Sequence, residues 1–148
     1  MLQRFRPILA GVLAVLAAFV VGCSAPSEPM TYTQSQIEDI QLYAARLGDL
    51  RDRMDELGDA IDNEDWGEVD TFIHGPLGSL RERAARVTRQ LLPSDRDRAE
   101  ALAEDLFEHL EEIDRAADIE KASLAVSNYR ESLQDFDAFL ALVPESVD

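Results

Sequence analysis

Four stretches of the chain repeat apolar residues at alternating steps of three and four, and that spacing admits little except helices packed along one stripe each. The first stretch carries Ile40, Tyr43, Leu47, Leu50, Met54, Leu57 and Ile61, with Asp49, Arg51, Asp52, Asp55, Glu56 and Asp59 on the other faces. The second runs through Trp66, Val69, Ile73, Leu77, Leu80, Ala84, Val87 and Leu91, and the third through Ala99, Leu102, Leu106, Leu110, Ile113 and Ala117. The fourth holds Ala122, Ala125, Tyr129, Leu133, Phe136, Leu140 and Val143. No period-two stretch or Asn-Gly turn supports a sheet. Helices joined by connections of a few residues pack antiparallel in sequence order, so the expected fold is all-α, an up-down-up-down four-helix bundle.

Local signals place the breaks. Thr33 with Gln36, or Ser35 with Glu38, has capping-box spacing for the first helix, and Ser94 with Asp97 has it for the third. Within the second stretch lies Gly75-Pro76. Proline lacks an N–H and its ring would strike the carbonyl of Phe72, so the helix is expected to break near His74 and restart with Pro76 in its first turn. Pro93 closes the second stretch and Pro144 the fourth. Trp66, Tyr43, Tyr129, Phe136 and Phe139 are expected in the core, whereas Phe72 and Phe107, each beside a core position, are the expected exposed aromatic pair.

The start of the chain reads as an address. Arg4 and Arg6 precede an uncharged apolar run from Ile8 to Val21, followed by Gly22-Cys23 and a polar, proline-bearing stretch. Those fourteen residues rise about 21 Å as a helix against a hydrocarbon core of about 30 Å, which favours a signal peptide over a permanent span. Val20-Val21-Gly22-Cys23 is similar to the bacterial lipoprotein cleavage box, which makes Cys23, the only cysteine, the expected lipid-attachment residue. The domains expected are therefore a lipoprotein signal peptide over 1–22, a lipidated N-terminus and tether over 23–34, and the bundle over 35–148. A single cysteine also excludes a disulfide framework and a cysteine-based zinc cluster.

With 14 Lys+Arg against 30 Asp+Glu, the net charge of −16 excludes nucleic acid as a partner recognised through its phosphates. The acids are unevenly placed: Asp55 to Asp70 holds eight and no base, and Glu108 to Glu120 holds six against Arg115. In an up-down bundle the two connections beside these segments share one end. Asp62, Glu64, Asp65 and Glu68 are accordingly candidate contacts for a basic partner surface, and Arg81, Arg83, Arg86, Arg89, Arg96 and Arg98 are expected toward the opposite end.

Catalytic patterns are missing. The hydroxyls lie outside any Gly-x-Ser-x-Gly elbow, and there is no phosphate-binding glycine loop or haem attachment motif, so neither enzyme activity nor a cofactor is expected. Asp70 with His74, and Asp105 with His109, stand one helical turn apart and offer two metal ligands each. Two ligands do not make a site, and the Glu-x-x-His of di-iron bundles is absent, with Thr71 and Leu106 at those positions. No metal site is expected; both histidines read as edges of an apolar stripe beside an acid.

The segment Thr71-Phe-Ile-His-Gly-Pro-Leu-Gly-Ser-Leu-Arg81 resembles the signature of the cyanobacterial PsbQ-like lipoprotein family, CyanoQ. Leu91 to Ala99, Leu106 to Ala117 and Tyr129 to Pro144 fit the same family, so the resemblance spans about Thr31 to Pro144 and includes the leader. It implies a non-catalytic extrinsic subunit of photosystem II, lipid-anchored to the lumenal side of the thylakoid membrane. There it would dock on the photosystem core beside other extrinsic lumenal subunits and stabilise the oxygen-evolving complex. His74, Gly75 and Pro76 match the family block and join the candidate partner-binding residues. The alternative is a lipid-anchored bundle acting as a transient photosystem assembly factor or as a divalent-metal-binding protein.

Overall fold

The computed structural model describes residues 30–145. The expected signal peptide over 1–22 and the expected lipid-attachment residue Cys23 lie outside them. The described residues form an all-α bundle without strands: α1 (Gln34–Asp52), α2 (Met54–Asp62), α3 (Trp66–His74), a 3₁₀ turn (Pro76–Ser79), α4 (Leu80–Gln90), α5 (Pro93–Asp118) and α6 (Ala122–Leu140). α1 with α2 makes the first helix of the bundle, and α3 with the 3₁₀ turn and α4 makes the second. None of the described helices is long and apolar enough to cross a membrane.

The start of α1 uses Thr33, whose hydroxyl accepts the Gln36 N–H while the Gln36 side chain accepts the Thr33 N–H, a complete capping box. The expected single helix from Ile40 to Ile61 is interrupted at Arg53, which sits at φ −83°, ψ −7°. Arg53 forks onto Glu56 at 2.8 and 2.9 Å and lays its guanidinium 5.5 Å from the centre of the Phe72 ring. Leu50, Met54 and Leu57 stay buried across the interruption, so the apolar seam passes through it.

The break at Gly75 falls where expected. α3 ends at His74, and Pro76 opens the 3₁₀ turn. A Cβ on Gly75 would stand 2.6 Å from the Thr71 carbonyl oxygen, so only glycine fits this corner. Before the break Val69 and Phe72 turn inward together, which overturns the expectation for Phe72: it is 2% exposed, and Ile73 moves to the flank. Phe107 is only partly exposed, because the Arg81 guanidinium covers its ring at 4.2 Å.

α5 begins at Pro93 without the expected Ser94–Asp97 cap. Leu92 occupies the N-cap in extended conformation, proline at the first helical position presets φ, and the Ser94 hydroxyl turns to Asp95 instead. Arg96 closes the preceding turn by donating to the carbonyls of Leu91 and Arg89, at the negative end of α4. α6 ends at Leu140, a turn before Pro144, and Leu142 and Val143 pack back on the core.

Hydrogen bonds between distant residues fix which ends meet. Tyr32 donates its hydroxyl proton to Asp95 at 2.8 Å and accepts the Leu92 N–H at 3.0 Å, pinning the start of the bundle to the α4–α5 corner. Gln41 donates to the Pro144 carbonyl at 2.9 Å. Toward the other end Tyr129 donates to the Met54 carbonyl at 3.1 Å. Met54 lies eight residues before the end of α2 and Tyr129 seven after the start of α6, so the α2–α3 and α5–α6 connections share one end.

Those two connections have the same backbone. The N–H of Asp65 bonds the Ala60 carbonyl and that of Glu64 the Ile61 carbonyl; Lys121 and Glu120 repeat this with Ala116 and Ala117. This is the Schellman pattern, and Glu64 and Glu120 occupy its left-handed position, both at φ 53°.

Candidate docking surfaces

Asp62, Glu64, Asp65 and Glu68 are all exposed at the end that carries the two Schellman turns. Asp65 also has a local task, since its Oδ1 accepts the Glu68 N–H at 3.2 Å as the N-cap of α3. The remaining carboxylates form no ion pair among the described residues. An end lined with uncompensated carboxylates attracts cationic groups, most strongly at low ionic strength.

A second surface surrounds the Gly75 break. His74 is exposed at the end of α3, and the antiparallel register of α3 on α5 brings Asp114 alongside it. His74 Nε2 lies 3.5 Å from Asp70 Oδ1 and 3.3 Å from Asp114 Oδ1, and the three ligand atoms sit within 4.8 Å of one another. Such separations suit three ligands of one divalent ion at metal–ligand distances of about 2.1 Å. Asp114 is forty positions from His74 in sequence, and no local pattern announces it; only the helix register does. Beside the cluster a recess of about 250 Å³ opens between the 3₁₀ turn and α5, walled by His74, Leu77, Phe107 and Glu111. Next to His74 in the chain, Pro76 is half-buried and Gly75 exposed. The sequence-derived block His74, Gly75, Pro76 is therefore a surface feature as well as a corner of the backbone.

The other histidine pairs differently from expectation. His109 Nδ1 meets Asp135 Oδ2 of α6 at 2.8 Å rather than Asp105 on its own helix. α5 and α6 pack closely enough to supply that partner, while Asp105 points to solvent. The arginines also depart from the expected gathering at one end. Arg81 reaches Glu111 of α5 at 3.0 Å, and Arg86 lies over the Tyr43 ring of α1 at 5.4 Å, so they are strung along both flanks of α4.

Two inter-helix polar contacts stiffen the frame beneath these surfaces. Arg51 of α1 forks onto Asp137 of α6 at 2.6 and 2.9 Å, and hydrogen bonding to that carboxylate holds its guanidinium charged even more firmly than usual. Burial pushes the Tyr129 hydroxyl above its ordinary pKa near 10, with Asp55, Asp59 and Asp62 adding to the rise. Gly58 makes room for that hydroxyl, since a Cβ there would fall 2.6 Å from it. Arg51, Tyr129 and Gly58 thus serve the packing of α1 and α2 on α6.

The family model PsbQ, oxygen evolving enhancer protein 3, matches residues 6–144. A curated relative, "CyanoQ" of Synechocystis sp. (strain ATCC 27184 / PCC 6803 / Kazusa), is 38% identical over 148 residues, covering 98% of this chain and 99% of the relative. On that near end-to-end match and its helical bundle, the chain belongs to the PsbQ family, the CyanoQ-like proteins.

Proposed function

We propose that the chain is a non-catalytic extrinsic subunit of photosystem II, anchored by acylated Cys23 to the lumenal side of the thylakoid membrane, where it docks on the photosystem core beside other extrinsic subunits and stabilises the oxygen-evolving complex. The observation that supports this most is the full-length kinship with an oxygen evolving enhancer protein. Docking is assigned to the acidic end, Asp62, Glu64, Asp65 and Glu68, together with the His74-Gly75-Pro76 corner. Acylation at more than one position of Cys23 supplies the lasting membrane attachment, because a single chain binds only marginally.

The test is to tag the C-terminus, solubilise native membranes gently, and count what is recovered. Near-stoichiometric oxygen-evolving photosystem II is expected. Recovery with unassembled subunits alone would replace the reading with that of an assembly factor. Cys23→Ser should release the protein from membranes or leave it unprocessed, and a mature-sized variant still fractionating with membranes would refute the anchor.

A second reading, divalent-cation binding, is favoured by the convergence of Asp70, His74 and Asp114. Zinc at a hundredfold excess over its dissociation constant should add about 2.7 kcal/mol of stability. His74→Ala should abolish that gain; an equal gain in the variant would place the ion elsewhere.

A further inference from the structure

A chain with a net charge of −16 nevertheless carries a basic groove between α1 and α4. α4 holds Arg81, Arg83, Arg86 and Arg89 against Glu82 alone. Arg83 and Arg86 line the side facing α1, where Arg46 joins them along adjoining recesses of about 150 and 340 Å³ that share Arg46 and Arg83 as walls; Glu82 also lines the first and Asp49 and Arg53 the second, so arginines outnumber acids four to two. Tyr43 lines the first recess beneath Arg86.

The guanidinium groups here are poorly used by the bundle itself. Arg46 makes no ion pair or hydrogen bond among the described residues. Arg83 spends only its Nε, on the Ser79 hydroxyl at 2.8 Å, and Arg86 reaches Glu82 at a long 3.4 Å. Two other arginines show the filled arrangement, Arg51 forked by Asp137 and Arg53 by Glu56. A guanidinium holds a carboxylate best through two parallel N–H···O bonds, and those forks stay open toward the groove.

We propose that this groove is a docking site for an acidic segment of a partner protein, whose carboxylates fork onto Arg46, Arg83 and Arg86. Charge complementarity selects the occupant, since three arginines converge on this groove and carboxylates are the groups that they hold best. The groove lies along the flank of the bundle between two helices, a shape that takes side chains of an extended segment rather than the plane of a lipid surface. It deepens the reading of the chain as a subunit of a larger assembly, and rests on that reading only for who the partner is.

The test uses the chain as purified from its membranes and a fluorescent decaglutamate peptide, read by anisotropy in about 0.1 M salt, where a Debye length of about 10 Å mutes the distant acids. Saturable binding is expected, weakened at least tenfold by Arg46→Gln and by the double change Arg83→Gln with Arg86→Gln. Arg46 has no partner to lose, so its variant keeps the fold, and Arg130→Gln, a change at an exposed arginine of α6, should leave binding intact. Three results would overturn the proposal: no saturable binding, equal weakening by Arg130→Gln, or Arg46-dependent binding seen only with phosphatidylglycerol vesicles. Decaglutamate binding through Arg46 by a chain recovered free of photosystem II would keep this inference and discard the subunit reading; the converse result would do the reverse.

Discussion

Gly58 and Tyr129 form a pair whose coupling can be worked out in advance. Alanine in place of a helix-interior glycine ordinarily stabilises by about 0.8–1.0 kcal/mol. At Gly58 the added methyl would lie 2.6 Å from the Tyr129 hydroxyl oxygen, 2.8 Å from Cζ and 3.0 Å from Cε1, so the ring must swing away. Swinging away breaks the hydrogen bond to the Met54 carbonyl, worth about 1 kcal/mol. It also strips part of the ring from the core, at about 25 cal/mol per Å² of apolar area re-exposed, roughly another 1 kcal/mol. Gly58→Ala is therefore expected to destabilise by about 1 kcal/mol net, close to 4 °C in Tm for a domain of this size. In a Tyr129→Leu background the obstruction is gone, and the same substitution should stabilise by its intrinsic amount. Urea unfolding of the four proteins in the cycle measures the coupling, expected near 2 kcal/mol. A shift of the same sign and size in both backgrounds would refute the reasoning.

Glu64→Gly and Glu120→Gly should each stabilise the fold by about 0.5–1 kcal/mol, because a left-handed residue with a Cβ costs about 1–2 kcal/mol and glycine returns part of that as unfolded-chain entropy; thermal melts check it, and a loss at either site would contradict the Schellman assignment. Gly75→Ala should cost about 1–3 kcal/mol, since the methyl meets backbone rather than a movable side chain. The raised pKa of Tyr129 means that its contribution is complete below about pH 10 and is lost as pH climbs through the folded value, so stability should fall on the alkaline side and Tyr129→Phe should flatten that limb. Glu56, held below the usual carboxylate range by Arg53, has the opposite sign: its contribution is present above the ordinary glutamate pKa and disappears on acidification, a slope that Glu56→Gln should reduce.

The apolar rhythm made the bundle legible because burial of one stripe per helix is a local property of sequence, and Leu47, Leu57, Leu106 and Phe136 sit in the core as that rhythm requires. Gly75-Pro76 was equally readable, since both residues act through their own backbone. What escaped depends on phase and register. Phe72 lies inside because the break resets the phase of α3, and the interruption at Arg53 has no proline or glycine to mark it. Asp114 beside His74, and Asp135 beside His109, come from other helices whose axial register is set by core packing, which no spacing within one helix encodes. The groove of Arg46, Arg83 and Arg86 was hidden for the same reason: the arginines of α4 were visible in sequence, but which of them would face α1 was not.

Tyr32 against the α4–α5 corner and Gln41 against Pro144 place both ends of the bundle's backbone at the same pole. Linear order is thus a convention of this fold more than a support for it. A circularly permuted chain, joined by a short linker between Glu145 and Thr31 and opened at the connection that holds Glu64, would keep every buried neighbour it has now. Its new termini would emerge among the carboxylates instead. A tether fused to that start would hold the molecule by its acidic pole and leave the tyrosine-pinned corner facing away.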